Sequence, residues 1–284
     1  MKVSKIGIFS QVLFQETINI VNDLLTVDGN SQISFFMNPE LYDFLAVTNL
    51  NSSLPRFQKV TLEDMSVDCI IPIGGDGTIL RVARARPNIP ILSINKGRRG
   101  VMAEIEPKDV IKEFSRFIAG HYKLEEHRRL EASIEAESIG SAINEIVITS
   151  LDLLKAVDFR VLIDDIVISS SLADGIIVST AIGSTGHSLS SGGCIVDPIL
   201  DNFEISWINP INLAIRPLII SSSRKIKIRC ATRINPLKIV IDGQISLEYV
   251  PPIEISFQPA KETVKFYRSR PFMNRLTQSL KPEI

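Results

Sequence analysis

Cysteine is scarce in this chain: Cys69, Cys194 and Cys230 stand far apart, with no Cys-x-x-Cys pair. An odd number at such spacing suggests neither a disulfide framework nor a zinc knuckle, and it predicts a reducing, cytoplasmic setting. An excess of either charge is also missing. The 31 Lys and Arg nearly cancel the 32 Asp and Glu, leaving a formal net charge of −1, which argues against a nucleic-acid or membrane-surface binder. Aromatic residues make up 6% and do not cluster, so they mark no interaction face. There is no internal repeat, no low-complexity tract and no block of five or more like charges. Long apolar runs are lacking as well. The uncharged stretch 175–196 has 22 residues, but 13 of them are Gly, Ser, Thr or His, which is too polar for a membrane span. No small-residue cleavage site follows residues 1–9, so no signal peptide is expected.

What is present is a length of 284 residues with 45% hydrophobic side chains, enough for one large or two ordinary domains with real cores. That content excludes disorder as the main state. The first third alternates strand-like runs (3–9, 33–37, 69–73, 89–94) with helical patterns (16–27, 78–85, 107–119), which predicts a parallel-sheet α/β domain. Beyond residue 120 the texture changes to short β-branched runs: 131–137, 142–149, 159–163, 166–170, 176–180, 225–229, 237–241, 254–257 and 263–266. Short strands without long helices between them predict a β-sandwich-like domain. The expected division is an α/β domain over 1–120 and a β-rich domain over 121–267. A helical tail at 271–280, within 268–284, is expected to pack back on one of them.

The first segment with chemical content is Gly74-Gly75-Asp76-Gly77-Thr78, directly after an apolar strand and before a helix. In an open α/β sheet the carboxyl end of a strand is where ligands bind. Glycines let the backbone approach a phosphate or ribose, and the amides opening a helix favour anionic oxygens. Asp76 would position or deprotonate a sugar hydroxyl, or hold Mg2+ near phosphates. A helix N-terminus should lower its basicity, which favours positioning over proton affinity. A plain strand-to-helix turn is the structural alternative. No G-x-x-x-x-G-K-[ST] loop occurs and no G-x-G-x-x-G follows the first strand, which disfavours a Walker-type NTPase and a simple Rossmann dehydrogenase.

The second segment begins at Asp174-Gly175 and runs through the hydroxyl- and glycine-rich stretch 179–193. Its side chains and amides suit sugar hydroxyls and phosphate oxygens. Gly-x-Ser-x-Gly does not occur in it, so a serine-hydrolase elbow is not indicated.

Taken together, Gly74-Gly75-Asp76-Gly77-Thr78, Asn144-Glu145, Asp174-Gly175 with 179–193, and Asp242-Gly243-Gln244 resemble the NAD kinase family. Asn95-Lys96-Gly97-Arg98-Arg99-Gly100 resembles that family's Asn-x-Gly-x-x-Gly turn, and Arg216-Pro217 recurs in a similar place. The resemblance covers about residues 65 to 250. It implies phosphorylation of the adenosine ribose 2′-hydroxyl of NAD by ATP or polyphosphate with Mg2+, giving NADP. It also implies a site in the cleft between the two domains, a homodimer or homotetramer, and no nucleic-acid or membrane partner. Asp76 matches the proton acceptor, accompanied by Gly74, Gly75, Gly77, Thr78 and Arg81 as ligand contacts. Asn144 and Glu145 match a clamp on the NAD ribose and adenine, and Asp174 resembles an acid on the nicotinamide side. Thr185, Gly186, His187, Ser188, Leu189 and Ser190 match the adenine-proximal loop, Gln244 a contact from the β domain, and Lys155 a basic contact or a surface lysine. No protein-bound metal cluster is implied, because no two histidines have ligand spacing.

This chain departs from the family where Thr-Pro-Thr-Gly-Ser-Thr-Ala-Tyr is common: it reads Thr180-Ala181-Ile182-Gly183-Ser184-Thr185-Gly186-His187. His187 puts a titratable ring where the family has a phenol. The competing readings are another kinase with a Gly-Gly-Asp-Gly loop, acting on a lipid or sugar phosphate, and a dinucleotide-binding regulator without catalysis.

Overall fold

The computed structural model describes residues 3–11, 13–28, 33–48, 53, 56–96, 101–152, 155–231 and 236–279. Two units emerge from it, residues 1–126 with 264–284 and residues 127–263. In the first, β1 (Lys5–Phe9), β2 (Ser34–Met37), β3 (Phe57–Lys59), β4 (Cys69–Gly74) and β5 (Ile94–Asn95) form a parallel sheet in the order β3-β2-β1-β4-β5. Four helices accompany them: α1 (Gln15–Asp28), α2 (Pro39–Ala46), α3 (Asp76–Ala85) and α4 (Val110–Ile118), the last preceded by a 3₁₀ turn at Pro107–Asp109. Helix α1 buries Ile18, Val21, Leu24 and Leu25, the stripe expected from its 3.6-residue period. These side chains pack with Ile6, Ile8, Phe35, Ile71 and Phe114. Each such burial contributes roughly 1.5–3 kcal/mol.

The strand expected over 89–94 is reduced to Ile94–Asn95, with Ile91 making isolated bridges to Ile70 and Phe266. Pro87 and Pro90 remove the amide donors that a regular ladder needs. The chain returns to this unit at its end. Strand β6 (Lys123–His127) pairs with β19 (Val264–Arg268), and α6 (Phe272–Ser279) follows.

The second unit holds two six-stranded antiparallel sheets and a short helix, α5 (His187–Ser190). Its strands are β7 (Leu130–Ile134), β8 (Glu137–Ala142), β9 (Glu145–Ser150), β10 (Val157–Ile163), β11 (Ile166–Ala173), β12 (Gly175–Thr180), β13 (Asn202–Ile208), β14 (Leu218–Ser221), β15 (Ile226–Cys230), β16 (Leu237–Ile241), β17 (Ile245–Tyr249) and β18 (Ile253–Pro259). One sheet runs β11-β10-β15-β18-β7-β8 and the other β14-β13-β12-β9-β16-β17. Alternate residues of both meet in one core, for example Phe159, Ile228 and Ile255 from the first with Ile148, Val178 and Ile239 from the second. Phe159 and Trp207 stack edge to face across it at 6.3 Å. A parallel α/β unit and an antiparallel β unit are the two classes expected from the sequence.

Strands β3, β6, β13, β14 and β17 fall in stretches where the patterning predicts none. The run expected over 142–149 is broken at Ile143–Asn144 between β8 and β9, because side-chain bonds take those amides out of the ladder. His127 is buried. Among the described residues no helix is long and apolar enough to cross a membrane.

Candidate active site

In the first unit the chain builds outward from β1 to β2 and β3, then returns to place β4 on the other side of β1. The carboxyl ends of β1 and β4 therefore lie at the point where strand order reverses, the crevice in which such sheets bind ligands. Gly74, Gly75 and Asp76 occupy that position. A Cβ on Gly74 would collide with the Thr78 side chain, so this glycine permits the tight turn. Nothing lies within 4 Å of where a Cβ would stand on Gly75 or Gly77, which leaves their backbone open to approach. Gly75 caps α3, and Asp76 is its first residue. Arg81, one turn further, is exposed and lies over the Phe9 ring at 5.7 Å to the centroid.

The Asp76 carboxyl receives a backbone hydrogen bond from Met102, while its Oδ1 is buried without a partner. Burial raises its pKa above the ordinary carboxylate value, outweighing the opposing Arg268 charge and the Met102 amide. This reverses the expectation drawn from the helix N-terminus alone: desolvation is the larger effect, and it makes Asp76 a better proton acceptor. Asn95, at the end of neighbouring β5, also has a buried unpartnered oxygen, Oδ1. Residues 97–100 of the glycine-rich turn lie outside the described residues.

In the second unit, Asn144 and Glu145 are held by Asp242. Its carboxylate accepts the amides of Ile143 (2.8 Å), Asn144 (2.7 Å) and Glu145 (3.2 Å). Asp242 and Gly243 both have positive φ, 50° and 65°, as the two central positions of a tight hairpin turn between β16 and β17 require. Gln244 follows on the surface. The 180–186 loop closes over the same place. Thr180 donates its amide to the Asn144 carbonyl at 2.8 Å and its hydroxyl to Ile143 at 2.6 Å. A Cβ on Gly183 would collide with the Asn144 carbonyl, and one on Gly186 would stand 2.7 Å from Glu145 Oε2.

The result is a packed shelf carrying two buried oxygens with no partner, Asn144 Oδ1 and Glu145 Oε2. Burial, reinforced by the nearby Asp242 charge, pushes the Glu145 carboxyl up to about 7. Buried polar atoms normally find partners, so unpartnered ones gathered on one shelf mark a surface awaiting a ligand. Thr185 and Gly186 are partly exposed here and His187 is exposed. Ile182, the apolar departure from the family pattern, is packed inward.

The remaining candidates divide. Ser188 faces the interior, bonded to Glu204 Oε2 and Ser206 Oγ at 2.9 Å each, while Glu204 Oε1 accepts the Cys194 amide. Ser188 thus shapes the loop from behind, whereas Leu189 is partly exposed and Ser190 exposed. Asp174 lies at the opposite end of β12 from Ser179, which pairs with Glu145. Asp174 and Ser179 are five positions apart along the strand, about 17 Å. Asp174 is exposed there and accepts from Asn209 Nδ2 at 2.8 Å. Lys155 is at the same far end, past β9, paired with Asp152 at 2.6 Å. The structure therefore groups Asn144, Glu145, Thr185, Gly186, His187 and Gln244 at one end of this unit and Asp174 with Lys155 at the other.

Sequence reasoning gave no role to Arg268 in the first unit or to Glu204 in the second, and named Asp242 only within a motif, without its part in holding three amides. A single acid inside an apolar strand, as in Phe203-Glu204-Ile205, was the available signal.

Comparison with known proteins gives the class, a phosphotransferase with an alcohol acceptor. Residues 25–122 match the ATP-NAD kinase N-terminal domain and residues 143–269 the ATP-NAD kinase C-terminal domain. An NAD kinase of Thermococcus gammatolerans is 37% identical over 238 residues, covering 82% of this chain and 86% of that protein. One of Thermococcus kodakarensis is 34% identical over 264 residues, 92% of each. The chain belongs to the NAD kinase family. Its fold matches yeast NADH kinase complexed with NADH, with a TM-score of 0.85 at 21% identity over 100% of this chain and 90% of that one. It also matches an NAD kinase from Archaeoglobus fulgidus in complex with ATP, with a TM-score of 0.76 at 24% identity over 97% and 98% of the two chains.

Proposed function

We propose that the chain transfers a phosphoryl group from ATP or polyphosphate to the 2′-hydroxyl of the adenosine ribose of NAD. The observation that carries this reading is the buried, unpartnered Oδ1 of Asp76 at the switch point of the parallel sheet. The 2′-oxygen forms a bond to the terminal phosphorus of the donor as the bond to the bridging oxygen breaks. The proton leaves the hydroxyl for the Asp76 carboxylate, whose raised pKa suits it to accept. The glycine backbone of this turn, clear of side chains at Gly75, approaches phosphate oxygens, and Arg81 adds a cation. Asn144 Oδ1 and Glu145 Oε2 accept hydrogen bonds from ribose hydroxyls and the adenine amino group.

Mg2+ bound to the donor phosphates would offset charge on the transferring group. Among the described residues no three His, Cys, Asp or Glu side chains gather as metal ligands. A homodimer or homotetramer is supported by edge strand β11, whose Ile166, Val167 and Ile168 are exposed. The three unpaired cysteines support a cytoplasmic location.

NADP formation from NAD, Mg2+ and ATP or polyphosphate, read with an NADP-specific dehydrogenase, tests the reaction. Asp76→Asn is expected to lower kcat roughly 10²- to 10⁴-fold with the NAD KM within a few fold. Activity within a few fold of the parent would reduce Asp76 to a turn residue. NAD binding without NADP from either donor would favour a regulator.

A further inference from the structure

The loop over the Glu145 shelf is tied down by a buried acid that the proposed reaction does not use. Glu204, on β13, is fully buried, and so is Ser206 two positions on. Their neighbours Phe203 and Ile205 enter the core between the two sheets, so alternation turns Glu204 and Ser206 to the opposite face. On that face Glu204 pairs in register with Ser179 of β12, and Ser179 pairs with Glu145 of β9. The two acids therefore stand in one row, two strand spacings apart, about 9.5 Å. Residues 186–194 lie along this row, and Glu204 holds them at two points. Its Oε2 accepts the Ser188 hydroxyl at 2.9 Å, and its Oε1 accepts the Cys194 amide at 2.5 Å. Ser206 Oγ, 2.9 Å from Ser188 Oγ, completes the seat. The Gly193 amide donates to the Ser188 carbonyl at 2.8 Å, and a Cβ on Gly193 would stand 2.4 Å from Ser188 Oγ and 2.8 Å from Glu204 Oε1. At the other end of the row, a Cβ on Gly186 would stand 2.7 Å from Glu145 Oε2. Only His187 lies between Gly186 and the anchored Ser188.

We infer that Glu204 is a positioning residue for the nucleotide site: by gripping Ser188 and Cys194 it fixes where Gly186 and His187 lie over Glu145, and with them the fit of the adenosine half of NAD. The inference rests on the proposed reading of the Asn144–Glu145 shelf as the NAD site. From 185 to 195, Ser188 is the single buried residue, so hydrophobic burial does not seat this stretch. Hydrogen bonds to Glu204 set its place instead. A carboxyl group inside an apolar strand is costly unless paired, and here its partners belong to the loop rather than to the core. It suits the task because it presents two acceptor oxygens, one to each end of the loop tip. The base of the loop is closed separately, where the Val196 amide donates to Ser184 Oγ at 3.0 Å. Losing the Glu204 ties therefore loosens the tip and leaves the base in place.

Glu204→Met removes both acceptors at similar volume. Glu204→Gln keeps a carbonyl oxygen for the Cys194 amide and offers a nitrogen that donates to Ser188 Oγ. In Glu204→Met the NAD KM is expected to rise about tenfold or more, the effect of losing one well-made hydrogen bond, with kcat and the donor KM within a few fold. Glu204→Gln is expected to bring the NAD KM back to within about threefold of the parent. Calorimetric titration with NAD alone should give the same order of Kd values, with melting temperatures recorded alongside. A merely structural role would lower the active fraction, and kcat with it, at an unmoved KM. A parent-like NAD KM in folded Glu204→Met overturns the inference, as does a Glu204→Gln variant no better than Glu204→Met. Should Glu204→Met fail to fold, Ser188→Ala takes its place. It deletes one of the two ties and is expected to raise the NAD KM several fold; a parent-like KM there overturns the inference. Absence of NADP from a parent that still binds NAD would instead refute the proposed reaction, and the Kd values of parent and variants then decide the role of Glu204. A parent that neither forms NADP nor binds NAD refutes both.

Discussion

Replacing Glu145 with Gln should make the unliganded protein more stable above neutral pH while weakening its hold on NAD. The Glu145 side chain is buried on the shelf formed by the 180–186 loop, one oxygen has no partner, and Asp242 adds a like charge. Its carboxyl is raised from 4.5 to about 7. An acid whose folded pKa lies above its unfolded value favours the folded state while protonated. That advantage is complete below about pH 4.5 and is lost as pH rises to about 7. The interval corresponds to about 3 kcal/mol at most, and loop relaxation with water entry reduces the cost of the charged form to roughly 1–2 kcal/mol. Gln mimics the protonated acid in shape and has no charge to desolvate. Chemical denaturation at pH 5 and pH 8 without nucleotide should therefore show E145Q close to the parent at pH 5 and roughly 1–2 kcal/mol more stable at pH 8, about 2–8 °C in Tm. A stability difference that does not change between the two pH values would refute the argument. So would a variant less stable at pH 8. The same shelf that binds is costly to maintain empty, a common trade between stability and function.

Two further perturbations probe the same shelf. Asp242→Ala removes the acceptor of three amides and should cost roughly 2–4 kcal/mol in denaturation while raising the NAD KM about tenfold or more, with a smaller change in kcat. Gly183→Ala drives a methyl group into the Asn144 carbonyl and should cost roughly 1–3 kcal/mol, again with NAD KM as the functional readout; a parent-like KM would show that Asn144 tolerates displacement.

Much of the architecture was legible in the linear pattern, because periodicity records burial. The 3.6-residue stripe of α1, the continuous apolar run of β4 and the alternating runs of β10 and β16 each report the face they bury. Strands β13 and β17 were harder to read. Strand β13 carries Glu204 and Ser206 within its buried stretch, and β17 shows only a half-buried alternation. Prolines at 87 and 90 hid the irregularity before β5, since hydropathy does not count amide donors.

By itself the sequence determined the two fold classes, the glycine–acid loop after an apolar strand, the Asn-Glu pair and the family. All of these are local features, carried by neighbours in the chain. Tertiary structure alone decided how those residues behave. It set the rise of the Asp76 and Glu145 pKa values, which depend on burial by distant segments, and the clamp of Asp242 on amides almost a hundred positions away. It also separated Asp174 and Lys155 from the Glu145 shelf by a strand length and brought Arg268 against Met102, 166 residues apart. Desolvation and charge pairing act through space, so a string of residue types carries no record of them until the chain has folded.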